Sequence, residues 1–154
     1  MKNLKALILA LSCFSFLSTV SLANEFGTRS EAVALLERAV ALVKIDKNRA
    51  LELFQSGTGG LIQKDLYVFC FAPDGTVIAH PNILGMNTFN NDFVDVNGTQ
   101  LGEALFNAAA VGSFGEATYE YERPTTGSTK TFTKTALMTR IRGLVCGVGY
   151  YNPK

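Results

Sequence analysis

The stretch Asp65–Pro81, DLYVFCFAPDGTVIAHP, decides the fold. Leu66 to Phe71 is an unbroken run of aromatic, β-branched and apolar residues, and Thr76 to Ala79 is a second, shorter one. Pro73-Asp74-Gly75 between them supplies the fixed φ and the positive-φ residue of a tight turn, so the stretch predicts a β-hairpin. The first strand is apolar at every position, which predicts cover on both faces and a central place in its sheet. A period of two sends Tyr67, Phe69 and Phe71 to one face and Leu66, Val68 and Cys70 to the other. Two polar tips interrupt this apolar surface. The Tyr67 hydroxyl and His80, the one histidine of the chain, are either a satisfied core tyrosine and a strand-end histidine or contacts to a ligand.

Working outward, the N-terminus reads as a leader rather than part of the fold. Lys2 and Lys5 precede an apolar run from Ala6 to Val20, and Ser21-Leu22-Ala23 is a small-x-small cleavage site. That pattern predicts a secretory signal peptide over residues 1–23 and one domain over 24–154, in the periplasm or outside the cell. The run is short and Ser-rich for a membrane span, and it continues past Cys13, so neither membrane insertion of the mature chain nor lipidation is expected. Removing 23 of the 154 residues leaves 131, with 12 basic against 13 acidic side chains. This balance, without a basic cluster, argues against nucleic acid or anionic lipid as a partner. Cys70 and Cys146 remain, in a compartment that permits disulfides.

Thr28 to Lys44 predicts a helix, with Thr28 or Ser30 as N-cap and Glu31 in its first turn. Val33, Leu36, Val40 and Val43 form its apolar stripe, and Ala32, Leu35, Ala39 and Leu42 widen it. So broad a stripe predicts contact with more than its own sheet, a second copy of the chain being one candidate. A shorter helix, Lys47 to Gln55, ends at the glycines of 56–60. Asn82 to Gly98 is a long irregular segment whose Ile83, Leu84, Met86, Phe89, Phe93 and Val94 predict a flap packed over the sheet. Within it Asp92, Asp95 and Asn97 fit turn chemistry, because no acid follows at the spacing of a calcium loop. Leu101 to Val111 predicts a further helix. Glu116–Arg123, Thr131–Ile141 and Leu144–Tyr151 predict a meander of three strands. The order describes an α+β fold.

These pieces resemble the single Cache domain, an extracytoplasmic relative of PAS sensor domains. The resemblance is carried by AVALLERAVALVK, Ala50 and Phe54, then DLYVFCFAPDGTVIAHP and Gly85. Asn97-Gly98, the Pro124–Gly127 turn, Lys134 and CGVGY complete it, so that it spans Glu31 to Tyr151. It implies a PAS-like, five-stranded antiparallel sheet with the first and last strands side by side at its centre. One face would carry the long helix, and the other a ligand pocket roofed by the flap and the short helix. It also implies a freestanding, secreted sensor for a small organic acid. In that topology Cys70 and Cys146 lie on neighbouring strands, but only directly opposed residues on one face can be bridged. A one-residue slip separates them, and two buried free thiols are the expectation.

No catalytic constellation can be assembled: the histidine is single, the cysteines fall in apolar strands, and no hydrolase, haem or zinc motif occurs. The expected activity is therefore non-enzymatic binding, without metal or cofactor. A monocarboxylate needs donors or a cation for its oxygens and an apolar wall for its tail. Tyr67 and His80 offer donors, Lys134 a cation (or a solvated strand end), and Tyr121 or Tyr119 closes the ring. Phe69, Met86 and Phe89 supply apolar surface. The competing expectation is an interaction module that recruits a receptor or a second copy through its first helix. For the leader, intact-mass measurement of the exported protein should give a chain that starts at or next to Asn24, and a lipid adduct on Cys13 would contradict this reading.

Overall fold

Two strands buried along their whole length organise the structure, a computed structural model that describes residues 25–152. They are β2 (Leu66–Phe71) and β7 (Leu144–Tyr151), which pair antiparallel with Cys70 opposite Cys146. Before them in the chain come α1 (Arg29–Ile45), α2 (Lys47–Ser56) and the two-residue strand β1 (Ile62–Gln63). Between them come β3 (Val77–Ala79), α3 (Leu101–Ala108), β4 (Ala110–Val111), β5 (Gly115–Glu122) and β6 (Thr131–Ile141).

The sheet runs β3–β2–β7–β6–β5, with all four pairings antiparallel, so the expected five-stranded core with β2 beside β7 is present. Two short strands extend it. β1 pairs with the start of β2, and β4 continues the β5 edge of β6 as a parallel partner of Thr139 and Arg140. β4 shortens the helix expected over Leu101–Val111, which stops at Ala108. The reason is capture by β6: Arg140 donates to the carbonyls of Phe106 and Ala109, and Thr139 to that of Ala110. Those carbonyls are then held by strand side chains, and the chain leaves the helix.

α1 begins with a reciprocal cap. The Thr28 hydroxyl accepts from the Glu31 amide, while the Glu31 carboxylate accepts from the Thr28 amide at 2.8 Å. Lys64 also donates to Glu31 at 2.6 Å, tying the helix start to the turn before β2. Ala32, Leu35, Leu36, Ala39 and Val43 of α1, with Ala50 and Phe54 of α2, pack on Leu66, Val68, Leu137, Cys146 and Val148. The opposite face carries Tyr67, Phe69, Phe71, Ala136, Met138 and Val145 under α3 and the flap. Asp95 does the turn work expected of it. Its carboxylate accepts from the amides of Asn97 and Thr99 at 2.9 Å, and from the Glu120 amide at 3.2 Å, which fastens the flap to β5.

Two expectations are corrected. The cysteines are joined, because the β2–β7 register sets Cys70 directly opposite Cys146 on the helix-covered face. And Ala32 and Ala39 belong to the core, at 0 % and 1 % exposure, so they are no part of a surplus stripe open to a second copy. Denatured, unreduced protein should take up no alkylating agent at Cys70 or Cys146. The bridge spans a sequence separation of 76, so its removal should cost roughly 4 kcal/mol of stability by chain entropy. Ala39→Asp should fail to fold, since it buries an unpaired charge against the sheet; a cooperative melt close to wild type would contradict that packing.

Candidate functional site

On the face away from α1, the side chains of β2, β5, β6 and β7 meet beneath the flap and α3. Strand alternation brings Tyr67 and Phe69 from β2 to this face, with Tyr119 and Tyr121 from β5 and Lys134 from β6. β7 crosses the middle of the floor with Gly147 and Gly149. A Cβ on Gly149 would lie 2.3 Å from Lys134 Cε, and one on Gly147 would lie 2.4 Å from Met138 Sδ. The glycines of CGVGY thus make the depth in which the Lys134 side chain lies flat across the sheet.

Lys134 is 1 % exposed. Its Nζ donates to the Tyr67 hydroxyl at 2.9 Å and sits 4.5, 5.0 and 5.3 Å from the ring centres of Tyr67, Tyr151 and Tyr121. Aromatic faces attract a cation but do not replace a carboxylate. Burial therefore brings the ammonium down to a pKa of about 7, Asp65 opposing the shift and Arg123 adding to it. Asp65 is engaged elsewhere. Its carboxylate accepts from the Gly27 amide at 2.6 Å and lies 3.3 Å from Arg123 Nε, whose guanidinium is stacked on Phe26 and Tyr151. This interior holds two cations and one carboxylate.

His80 stands beside Tyr67, ring edge to ring face, with centres 4.9 Å apart. The Asn82 amide donates to its Nδ1 at 3.0 Å, which assigns the proton of the neutral ring to Nε2. Burial and the neighbouring Lys134 charge push its pKa down to about 4, so the ring is neutral at pH 7. Burial also raises the pKa of the Tyr67 and Tyr119 hydroxyls, and that of Tyr121 to about 12, so all three keep their protons.

Tyr67, Phe69, His80 and Tyr121 line a small inner cavity of about 20 Å³, which Phe71, Tyr119, Ile83, Phe93, Leu101 and Leu105 complete. Tyr67, His80 and Tyr121 also floor an outer groove of about 440 Å³ beside Asn82, Val94 and Pro124. Three of the sequence-derived residues thus face both spaces, Phe69 faces the inner one, and Lys134 lies behind Tyr67. Met86 is corrected: its side chain is 43 % exposed and lines neither space. The flap there runs along β3, with Gly85 donating to and Met86 accepting from Val77, which turns the methionine outward. Phe89 packs on Phe106, ring centres 4.7 Å apart, and covers the hairpin turn at Gly75. The roof residues Ile83, Phe93, Leu101 and Leu105 are apolar in the sequence. Nothing local, however, separated them from Met86 and Leu84.

No protein-family model and no curated protein sequence matches the chain. Solved structures do. A methyl-accepting chemotaxis protein from Vibrio parahaemolyticus superposes with a TM-score of 0.61 at 21% identity, over 79% of this chain and 86% of that one. A periplasmic sensor domain of a chemotaxis protein gives 0.57 at 21% identity, over 80% and 90% of the two chains. A Cache chemosensory domain, described with the structural basis for its carboxylic acid recognition, gives 0.54 at 19% identity over 80% and 88%. The chain has the fold of a single Cache domain. Among the described residues, no helix is long and apolar enough to cross a membrane.

Lys134 makes stability depend on pH in a defined window. Its pKa falls from an ordinary 10.5 to about 7 on folding, so between these values the unfolded chain holds a proton that the folded one lacks. Stability of the ligand-free protein should therefore rise from about pH 7 towards pH 10. Denaturant titrations at pH 7.0, 8.0 and 9.0 test this, and Lys134→Met should flatten the slope.

Proposed function

We propose that this domain is an extracytoplasmic binding and sensing module for a small organic acid, most simply a monocarboxylate. One observation carries the reading. The interior beneath the flap holds Lys134 without a carboxylate of its own, since Asp65 is committed to Arg123 and Gly27. An anion supplied from outside completes that charge balance. The Lys134 ammonium donates to the Tyr67 oxygen, so the Tyr67 proton is turned towards other acceptors. Together with His80 Nε2–H it offers a carboxylate two donors, while Phe69, Phe71 and Leu105 wall the tail. The likeness to chemotaxis sensor domains, one of them described with carboxylic acid recognition, supports the same class.

The inner cavity has room for about one water, so a larger ligand enters it only as the flap shifts from the sheet. Val94 and Val96 are exposed at the groove and the flap is fastened to β5 there by the Asp95 carboxylate, which makes the second half of the flap the moving part. Occupancy would then change the flap rather than start a reaction, and the domain acts as a binder, not a catalyst. Transmission to a membrane receptor or a second copy has one structural candidate, the outer face of α1. Ala34, Glu37, Ala41 and Lys44 are exposed there, and among the described residues neither charge has an ion-pair partner.

Calorimetry of the mature domain with acetate and propionate should detect binding at pH 6.5. Lys134→Ala should weaken it roughly ten- to a hundredfold, the usual loss for one charge-assisted hydrogen bond. Because an anion favours the protonated amine, affinity should fall as pH rises through about 7. Unchanged affinity in Lys134→Ala would remove the lysine from the site.

A further inference from the structure

We propose that the outer side of the flap's first half is a docking surface for a basic, amphipathic segment of a partner protein. Charge is divided unevenly along this chain. Between Lys64 and Arg123 it holds eight acidic side chains and no lysine or arginine. That stretch contains the hairpin, the flap, α3 and β5, so the exposed charges of those elements are all negative. Arg29, Arg38, Lys44, Lys47 and Arg49 lie across the sheet, on α1 and α2.

An apolar surface lies within this acidic region. Leu84, Met86 and Phe89 are 56 %, 43 % and 42 % exposed. The backbone builds that exposure in. Gly85 donates to the Val77 carbonyl, Met86 accepts from the Val77 amide, and Thr88 donates to the Gly75 carbonyl through both its amide and its hydroxyl. The run is thereby fixed along the hairpin with Thr88 fully buried, which leaves Met86 and Phe89 partly in water. Large apolar side chains held at the surface by the fold's own hydrogen bonds mark an interaction site, and methionine adapts its shape to a partner.

Asp74, Asp92 and Glu103 border this surface. The Asp74 carboxylate accepts from the Thr76 amide and its carbonyl from Asn87 Nδ2, each at 3.0 Å, which holds it beside the run. Gly102 of α3 packs so closely that a Cβ there would lie 2.0 Å from the Thr88 carbonyl oxygen, and the exposed Glu103 follows it. Asp92, also exposed, follows Phe89 in the flap. Among the described residues none of these carboxylates has an ion-pair partner. Lysine or arginine flanking an apolar helical stripe answers both features at once, whereas an anionic lipid surface would be repelled.

Fluorescence anisotropy tests this with a labelled synthetic helix of about five turns, leucine on one face and lysine on the other, against a twin with glutamate for lysine. The exported, ligand-free protein should bind the lysine peptide at least about tenfold more tightly than its twin, with affinity falling as salt rises. Leu84→Ser with Met86→Gln should weaken binding about tenfold or more, as should Asp92→Lys with Glu103→Lys, while Glu37→Lys on α1 should change it less than about twofold. These side chains are exposed and the flap is bonded there through its backbone, so thermal melts of the variants should stay close to wild type. Equal binding of the twin peptides would overturn the inference. So would unchanged affinity in Leu84→Ser with Met86→Gln, or a loss in Glu37→Lys as large as that in Asp92→Lys with Glu103→Lys, which reduces the effect to net charge. Self-association of the wild type that disappears in Leu84→Ser with Met86→Gln would assign the surface to a second copy, and flotation with phosphatidylcholine vesicles would assign it to a membrane; either result overturns the proposal.

Discussion

The pairing of β2 with β7 is the constraint on which the rest of this structure depends. Every residue of both strands is buried, and their register sets Cys70 against Cys146 and Val68 against Val148 on the helix-covered face. The bridged cysteines of the two strands are 76 residues apart in the chain, so their contact closes everything from β2 to β7 into one unit. Loop closure is the dominant entropic cost of such a long-range pairing, and a covalent link across it acts on that cost. The same register orders the other face. With Cys70 and Cys146 pointing to α1, the alternation sends Tyr67, Phe69, Gly147, Gly149 and Tyr151 to the site. A slip of one residue would exchange the two sets and dissolve both core and pocket.

On the site face the electrostatics follow from depth. Lys134 lies flat because Gly149 has no side chain, and lying flat removes it from water. A buried ammonium ringed by aromatics is tolerated because cation–π attraction and the Tyr67 oxygen offset part of the desolvation. The nearby carboxylate is not free to help. Asp65 holds the Gly27 amide, and the Arg123 cation it faces is stacked on Phe26, so this pair secures the segment before α1. The two adjacent cations thus take different roles in the interior: Arg123 faces the Asp65 carboxylate, whereas among the described residues Lys134 is held by the Tyr67 hydroxyl and aromatic rings alone.

The flap joins these two roles. Thr88 is fully buried and donates to the Gly75 carbonyl, which anchors the flap's first half to the hairpin turn. The second half is held by the Asp95 carboxylate, through three backbone amides including that of Glu120. The first anchor is packed and the second is polar at the groove, so the second is the one that water and ligand can compete with.

Much of the fold was legible in the residues themselves. The unbroken apolar run of Leu66–Phe71 required a central strand, the Thr28–Glu31 box started α1, and the Pro-Asp-Gly cluster turned the hairpin. These are local effects, carried by periodicity, capping and turn chemistry. Tyr67, Phe69, His80, Tyr121 and Lys134 were also legible as a group, because alternation and the few polar tips single them out. What the sequence left open was decided by partners distant in the chain. Whether Cys70 meets Cys146 depends on inter-strand register, and whether Ala39 is core or surface depends on how the sheet meets α1. Whether Met86 or Ile83 faces the cavity depends on the flap's hydrogen bonds to β3. The early end of α3 depends on Arg140, over thirty residues away. Local sequence determined the main helices and strands and the alternation of faces along them; only their long-range pairing decided which faces meet and where α3 ends, because register and burial belong to no single segment.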